Sequence, residues 1–368
     1  MSSILYRILI DGIVVVLAIS TLKYYQDWKS ETLDDVEETI AGSVTWSRDQ
    51  QNELHAIAQK LTESGKGILA ADESIDTIGK RFAMIGVENN EENRKNYRHL
   101  LFTTPNISTY ISGIILHEET FNQKDDTNKR FVDIIKEAGI LPGIKLDKGL
   151  DNLKERAIFF KKGGCQFSKW RCVYMISKFM PSKKILKKNA KTLAEYAILS
   201  QQAGLVPIIE PEVLWDGEHS LEKTEKVTEQ VLAEVYKSLH DYGVYLEGTL
   251  LKPNMVLAGS KFKERVERNE IANETLRALI RTVPAAVPGI VFLSGGQLET
   301  DATRNLNEIN KILLNTPWKL SFSYGRALQT STLKAWKIYG RKEAQAAFLH
   351  RAKLNALAAE GHYMDHHE

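Results

Sequence analysis

Cysteine is scarce in this chain: Cys165 and Cys172 are the only two among 368 residues. They form no C-x-x-C pair, so a disulfide framework is excluded, and they read as reduced, partly buried thiols of an intracellular protein. Net charge is nearly absent too. With 49 Lys and Arg against 47 Asp and Glu the balance is +2, which gives the chain as a whole no field for nucleic acid or another polyanion. Long apolar runs are also missing. Ile4 to Leu22 approaches the length of a membrane span, but Arg7 and Asp11 interrupt it and leave only Ile13 to Ile19 unbroken. Three readings of this stretch compete: a signal-anchor, an organelle-directing presequence, or an extra segment with no settled role. The few arginines and the acids present argue against a transit peptide. Acidic Glu31 to Glu38 reads as a linker, so the chain divides into an N-terminal extension, 1–45, and a folded body, 46–368.

What is present is an ordinary globular composition, 43% apolar, in a chain long enough for one large core. From Trp46 onward, short strands alternate with helices. Asp49 to Thr62 has helical apolar spacing at Leu54, Ile57, Ala58 and Leu61. Strands are expected at 68–71, 111–116, 142–147, 167–173 and 206–210, then at 244–252, 289–294 and 320–323. Helical stretches such as 189–203 and 221–242 separate them. Eight strands alternating with helices predict an α/β fold, a (β/α)8 TIM barrel.

Such barrels carry their chemistry at the C-terminal ends of the strands. Here those ends hold Asp72, Lys145, Asp147, Lys169, Arg171, Glu210, Glu212 and Lys252. The last two strands end in Ser294-Gly295-Gly296 and Ser323-Tyr-Gly325-Arg326. Charges scattered over separate strands would each be costly to bury unpaired; gathered at one mouth they are not. Lys252 closes an apolar run and precedes Pro253, which holds it extended at a strand end. Desolvation there favours a neutral amine, the nucleophile that makes imines with carbonyls. Glu210 is then the acid that moves protons as water leaves, and Lys169 the neighbouring cation. Asp72 takes the proton of a hydroxyl while the adjacent C–C bond breaks. The glycine-rich ends of the last two strands, with Arg326, suit a phosphate. Lys145 and Arg171 hold a second phosphate or fix the acids.

Together, Ile68-Leu-Ala-Ala-Asp-Glu-Ser74, Gly143-Ile-Lys-Leu-Asp-Lys-Gly149, Lys169-Trp-Arg-Cys172, Glu210-Pro-Glu212, Glu247-Gly-Thr-Leu-Leu-Lys-Pro-Asn-Met255, Leu293-Ser-Gly-Gly-Gln297 and Phe322-Ser-Tyr-Gly-Arg-Ala-Leu328 resemble class I fructose-1,6-bisphosphate aldolase. The resemblance runs from about Trp46 to Tyr363. It implies Lys252 as the Schiff-base lysine, Glu210 as the dehydrating acid/base, Lys169 as its charged neighbour and Asp72 as the residue acting on the C4 hydroxyl. It places Lys145, Arg171 and Glu212 in support. Ser294, Gly295, Gly325 and Arg326 fall on one phosphate, and Ser74, Thr77 and Arg81 near the other. It further implies sugar-phosphate substrates, a homotetramer, no cofactor or metal, and cytoplasmic work in glycolysis and gluconeogenesis. The metal-dependent class of aldolases is not indicated, because no histidine trio falls at strand ends; His362, His366 and His367 sit in the tail.

Three departures qualify the likeness. Gly149 runs straight into Leu150-Asp-Asn-Leu-Lys-Glu155, about fourteen residues short of the family pattern, on the catalytic rim beside Lys145. Tyr363 precedes the family's tyrosine-ended tail, so it is not assigned to proton exchange on the enamine, and slow turnover is expected. The apolar extension is foreign to the family. These departures motivate a rival: an aldolase-like scaffold for actin filaments or, through Ile4 to Leu22, for a membrane.

Overall fold

The computed structural model describes residues 45–312 and 316–367; the expectations for 4–22 and 31–38 lie outside the described residues. Eight parallel strands close in sequence order: β1 (Gly67–Ala71), β2 (Ile111–Leu116), β3 (Leu141–Lys145), β4 (Phe167–Tyr174), β5 (Val206–Val213), β6 (Leu250–Leu251), β7 (Gly289–Phe292) and β8 (Lys319–Tyr324). β8 returns to β1 through the pairs Ile68 with Ser323 and Leu69 with Tyr324. The predicted (β/α)8 barrel is the fold. Among the described residues no helix is long and apolar enough to cross a membrane.

Two elements differ from their sequence patterns. Val244 to Lys252 does not form one strand: Leu246–Gly248 is a single 3-10 turn and β6 spans only two residues. The side chain of Gln201 donates to the Tyr245 and Gly248 carbonyls, at 2.7 and 3.1 Å, and replaces the ladder there. Lys252 N–H still donates to the Ile209 carbonyl at 2.8 Å, which fixes the lysine against β5. The helix expected over 189–203 begins earlier, at Lys183, where the Ser182 hydroxyl caps it. Its lysine-rich first turns hide the apolar period; Leu186 alone is buried there before Ala190.

A strand's side chains alternate inward and outward, and along the inward track each strand changes character partway up. Ile68, Ala70, Phe167, Val206, Ile208 and Leu250 fill the lower barrel, closed below by Leu54, Ala58 and Leu61 of the helix Arg48–Leu61. The next inward positions on the same strands are Asp72, Lys169, Glu210 and Lys252. Phe167 needs room at the axis, and Gly113 and Gly143 supply it: a β-carbon at Gly143 would lie 2.3 Å from the Phe167 ring, and one at Gly113 2.6 Å from Leu61. The apolar floor therefore fixes the height at which the charged layer starts. Gly143→Ala is expected to destabilise the protein by about 1–3 kcal/mol through overpacking, read as a lowered denaturant midpoint with an unchanged slope.

Candidate active site

The strand ends enclose a cleft of about 530 Å³. Every predicted site residue except Gly296 lines it: Asp72, Ser74, Thr77, Arg81, Lys145, Lys169, Arg171, Glu210, Glu212, Lys252, Ser294, Gly295, Ser323, Gly325 and Arg326. Gly296 is turned away. Its φ of +78° is left-handed, and a β-carbon there would meet Trp215 at 2.7 Å, so it shapes the turn. A separate polar cavity of about 330 Å³ opens around Lys66 and Lys319, at the opposite strand ends.

Lys169 is the hub. Its Nζ lies 2.8 Å from Asp72 Oδ2, 3.2 Å from Glu210 Oε2 and 3.7 Å from Asp147 Oδ2. Glu210 reaches on with Oε1 to Lys252 Nζ at 3.2 Å. The register sets this up: Lys145 stands beside Lys169 across β3 and β4, and Arg171 beside Glu210 across β4 and β5. Asp72, Lys169, Glu210 and Lys252 are all buried. Burial alone would lift the Asp72 and Glu210 carboxyls, but the Lys169 and Lys252 ammoniums outweigh it and hold both below their ordinary range. Burial likewise disfavours the Lys169 charge, yet Asp72, Glu210 and Asp147 raise it well above an ordinary lysine. Lys169 is thus a fixed cation, and both acids rest ionised. Glu210 Oε2, although 3.2 Å from Lys169, accepts no aligned hydrogen bond. Transfer of one proton across the 3.2 Å to Glu210 would turn Lys252 into the nucleophile and Glu210 into the acid together.

The far side of the cleft is cationic. Gly325 caps the helix Arg326–Tyr339 with no side-chain bond to its first amides. Arg326 has no acid within ion-pair distance among the described residues; burial and then the Arg81 charge push its guanidinium below its ordinary value. The Ser323 hydroxyl is buried without a partner. Ser74 caps the helix Ile75–Met84 and meets the Thr77 hydroxyl at 2.9 Å. At the Arg326 end, uncompensated positive charge and open helix amides suit a phosphate; at the other end Arg81, paired with Glu73, and the Ser74 and Thr77 hydroxyls offer donors to a second. Arg171 pairs with Glu212, which also lines the cleft.

Sequence reading left three parts without a role. Asp147, noted only as a strand end, bridges Lys169 and Lys145. Glu73 holds Arg81 toward the cleft while buried Arg98 holds Glu73 at 2.9 Å. Glu73 adjoins the Asp72 motif and could have been noticed; Arg98, on the helix Glu91–Phe102, carries no local signal. The loop after β3 is anchored: Arg156 donates to the Leu146 and Gly149 carbonyls, Leu153 is buried, and Lys145 lines the cleft. Tyr363 is buried and clamped by Asn307 through its backbone N–H and carbonyl, outside the cleft lining.

A lysine–carboxylate network with cationic flanks, at the C-terminal mouth of a parallel barrel, is the architecture of a lysine-centred barrel enzyme for anionic carbonyl compounds. The family model described as fructose-bisphosphate aldolase class-I matches residues 53–368. The chain is 56% identical to fructose-bisphosphate aldolase 2 of Caenorhabditis elegans over 333 residues, 85% of this chain and 90% of that one. It is 53% identical to fructose-bisphosphate aldolase B of Oryctolagus cuniculus, covering 86% and 92%. The aldolase of Plasmodium falciparum, solved in a ternary complex with TRAP and a small-molecule inhibitor, superposes with a TM-score of 0.86 at 45% identity, covering 88% of this chain and 99% of that one. The chain belongs to the class I fructose-bisphosphate aldolase family.

The network makes stability depend on acid. Asp72, Glu73 and Glu210 have folded-state values depressed below 3.8, 4.5 and 4.5, so the stability they add is complete above those values and is lost as pH falls below them. Lys169→Met leaves carboxylates buried without their shared cation. It should destabilise the fold at pH 7 by about 3–5 kcal/mol and flatten the loss below about pH 4.5, in denaturant titrations against pH. Turnover should fall by at least about a hundredfold.

Proposed function

We propose that this protein reversibly cleaves fructose 1,6-bisphosphate into dihydroxyacetone phosphate and glyceraldehyde 3-phosphate, in glycolysis and gluconeogenesis. One observation carries the chemistry: Lys252 Nζ lies 3.2 Å from Glu210, whose other oxygen lies 3.2 Å from the fixed cation Lys169. Neutral Lys252 adds to the C2 ketone, and Glu210 delivers the proton with which the carbinolamine oxygen leaves as water. The resulting iminium accepts the electron pair of the C3–C4 bond. Asp72 takes the C4 hydroxyl proton as that bond breaks, releasing the aldehyde and leaving an enamine. Protonation of the enamine at C3 and hydrolysis of the iminium return Lys252 and release the ketone.

Phosphate groups anchor the two ends of the substrate, one at Ser294, Gly295, Gly325 and Arg326, the other at Ser74, Thr77 and Arg81. Arg326→Ala should therefore raise KM for the bisphosphate at least about tenfold, with a smaller loss in kcat, because it removes a ground-state grip rather than the reacting amine. A homotetramer and a cytoplasmic location complete the reading. The first rests on the family resemblance; the second is supported by two free, buried thiols. A monomer in sedimentation velocity, or recovery in the organelle fraction, would remove them.

The rival of a scaffold without chemistry is not supported, since every charged group the reaction uses is retained in one cleft. The deciding experiment traps the imine. With dihydroxyacetone phosphate and borohydride, a reduced adduct is expected on the peptide carrying Lys252 and absent in Lys252→Ala. A folded protein that takes up no adduct, and gives no product in a coupled assay, overturns the proposal.

A further inference from the structure

The near-zero net charge conceals one strongly polarised face. Between Cys172 and Ala194 there is no Asp, Glu or Arg, but there are six lysines: Lys178, Lys183, Lys184, Lys187, Lys188 and Lys191. The last five lie in the first half of the helix Lys183–Gln202 and are exposed. At about 100° per residue they occupy an arc of roughly 140°, while Leu186, Ala190 and Leu193 point the other way into the fold. Among the described residues no carboxylate lies within ion-pair distance of Lys183, Lys184, Lys187 or Lys188. This contrasts with the helix Leu221–Asp241, where exposed Lys226 pairs with Glu222.

Beside the lysines stands an apolar tip. Val173, Met175 and Phe179, on the end of β4 and the loop after it, are 44%, 53% and 78% exposed. Lys178 sits over the Phe179 ring at 5.4 Å. We propose that this face, the lysine arc with the Met175 and Phe179 tip, docks on the surface of an anionic lipid bilayer. Exposed ammoniums are drawn to acidic headgroups without needing fixed partners, and exposed apolar side chains at the same edge enter the boundary of the acyl layer. Nucleic acid fits less well. Its phosphates favour the fork of arginine, which this stretch lacks, and they offer Val173 and Met175 nothing to enter. The six lysines lie outside the catalytic cleft, so docking is independent of the reaction.

The test uses the full chain in vesicle sedimentation. Phosphatidylcholine vesicles are compared with vesicles of phosphatidylcholine and phosphatidylserine, at about 0.1 M and about 0.5 M salt, which shorten the screening length differently. Binding is expected only to the anionic vesicles and mainly at low salt. The combined substitution K183Q/K184Q/K187Q/K188Q should lower partitioning at least about tenfold, with unchanged melting to show that the fold is intact. Phe179→Trp should show blue-shifted emission on the anionic vesicles. Equal binding to neutral vesicles, insensitive to salt, would assign any membrane affinity to Ile4–Leu22 and overturn the proposal. So would undiminished binding by the four-lysine variant, unmoved Trp emission, or displacement from the vesicles by a single-stranded RNA oligomer at lower concentration.

Discussion

Charged side chains shielded from water can share the barrel mouth because one ammonium serves three carboxylates. Lys169, held by β4, lies within ion-pair distance of Asp72, Asp147 and Glu210, which come from three other strand ends. Removing any one partner would strand a charge in a low-dielectric space, a far larger penalty than the loss of a surface pair. The arrangement also sets the chemistry. Lys169 stays protonated between ionised acids, and Glu210 is the carboxylate within reach of Lys252, at 3.2 Å.

That network depends in turn on the apolar floor beneath it. The charged layer begins one inward step above Ala70, Phe167, Ile208 and Leu250. Phe167 can fill the axis only because Gly113 and Gly143 have no side chain there. A shift of one residue in β4 would exchange Lys169 for Trp170 on the inward track, so packing at the floor and proton transfer at the mouth are coupled through the strand period. The short loop after β3 leaves this untouched, since β3 ends with Lys145 already placed and Arg156 ties the following turn down.

The flanks follow a different logic. The core network is close to charge balance, whereas Arg326 and Arg81 line a region left cationic. Arg81 is steadied by Glu73, and Glu73 by Arg98 from a helix distant in sequence. Positive charge is thus held in place without being used up, as a site for dianionic phosphates needs. The lysine arc on the helix Lys183–Gln202 is charge of another kind: exposed and next to apolar side chains.

The barrel and most of the cleft are legible in the chain's local patterns. Strand periodicity is local, and a charged residue ending an apolar run is visible without knowing its neighbours; this singled out Asp72, Lys169, Glu210 and Lys252. It also located the glycine-rich turns, although not which glycine faces the cleft: Gly296 differs from Gly295 only in the direction its turn takes against Trp215. What depends on partners far apart in the chain emerges only once it has folded. Gln201 satisfies the carbonyls of Tyr245 and Gly248 and cuts β6 to two residues, which no local pattern encodes. Asp147 acquires its role only when β3 is set beside β4, and Arg98 only when its helix reaches Glu73. Local propensity and period are written in neighbouring residues, whereas the pairing of buried charges is a property of the space the strands enclose.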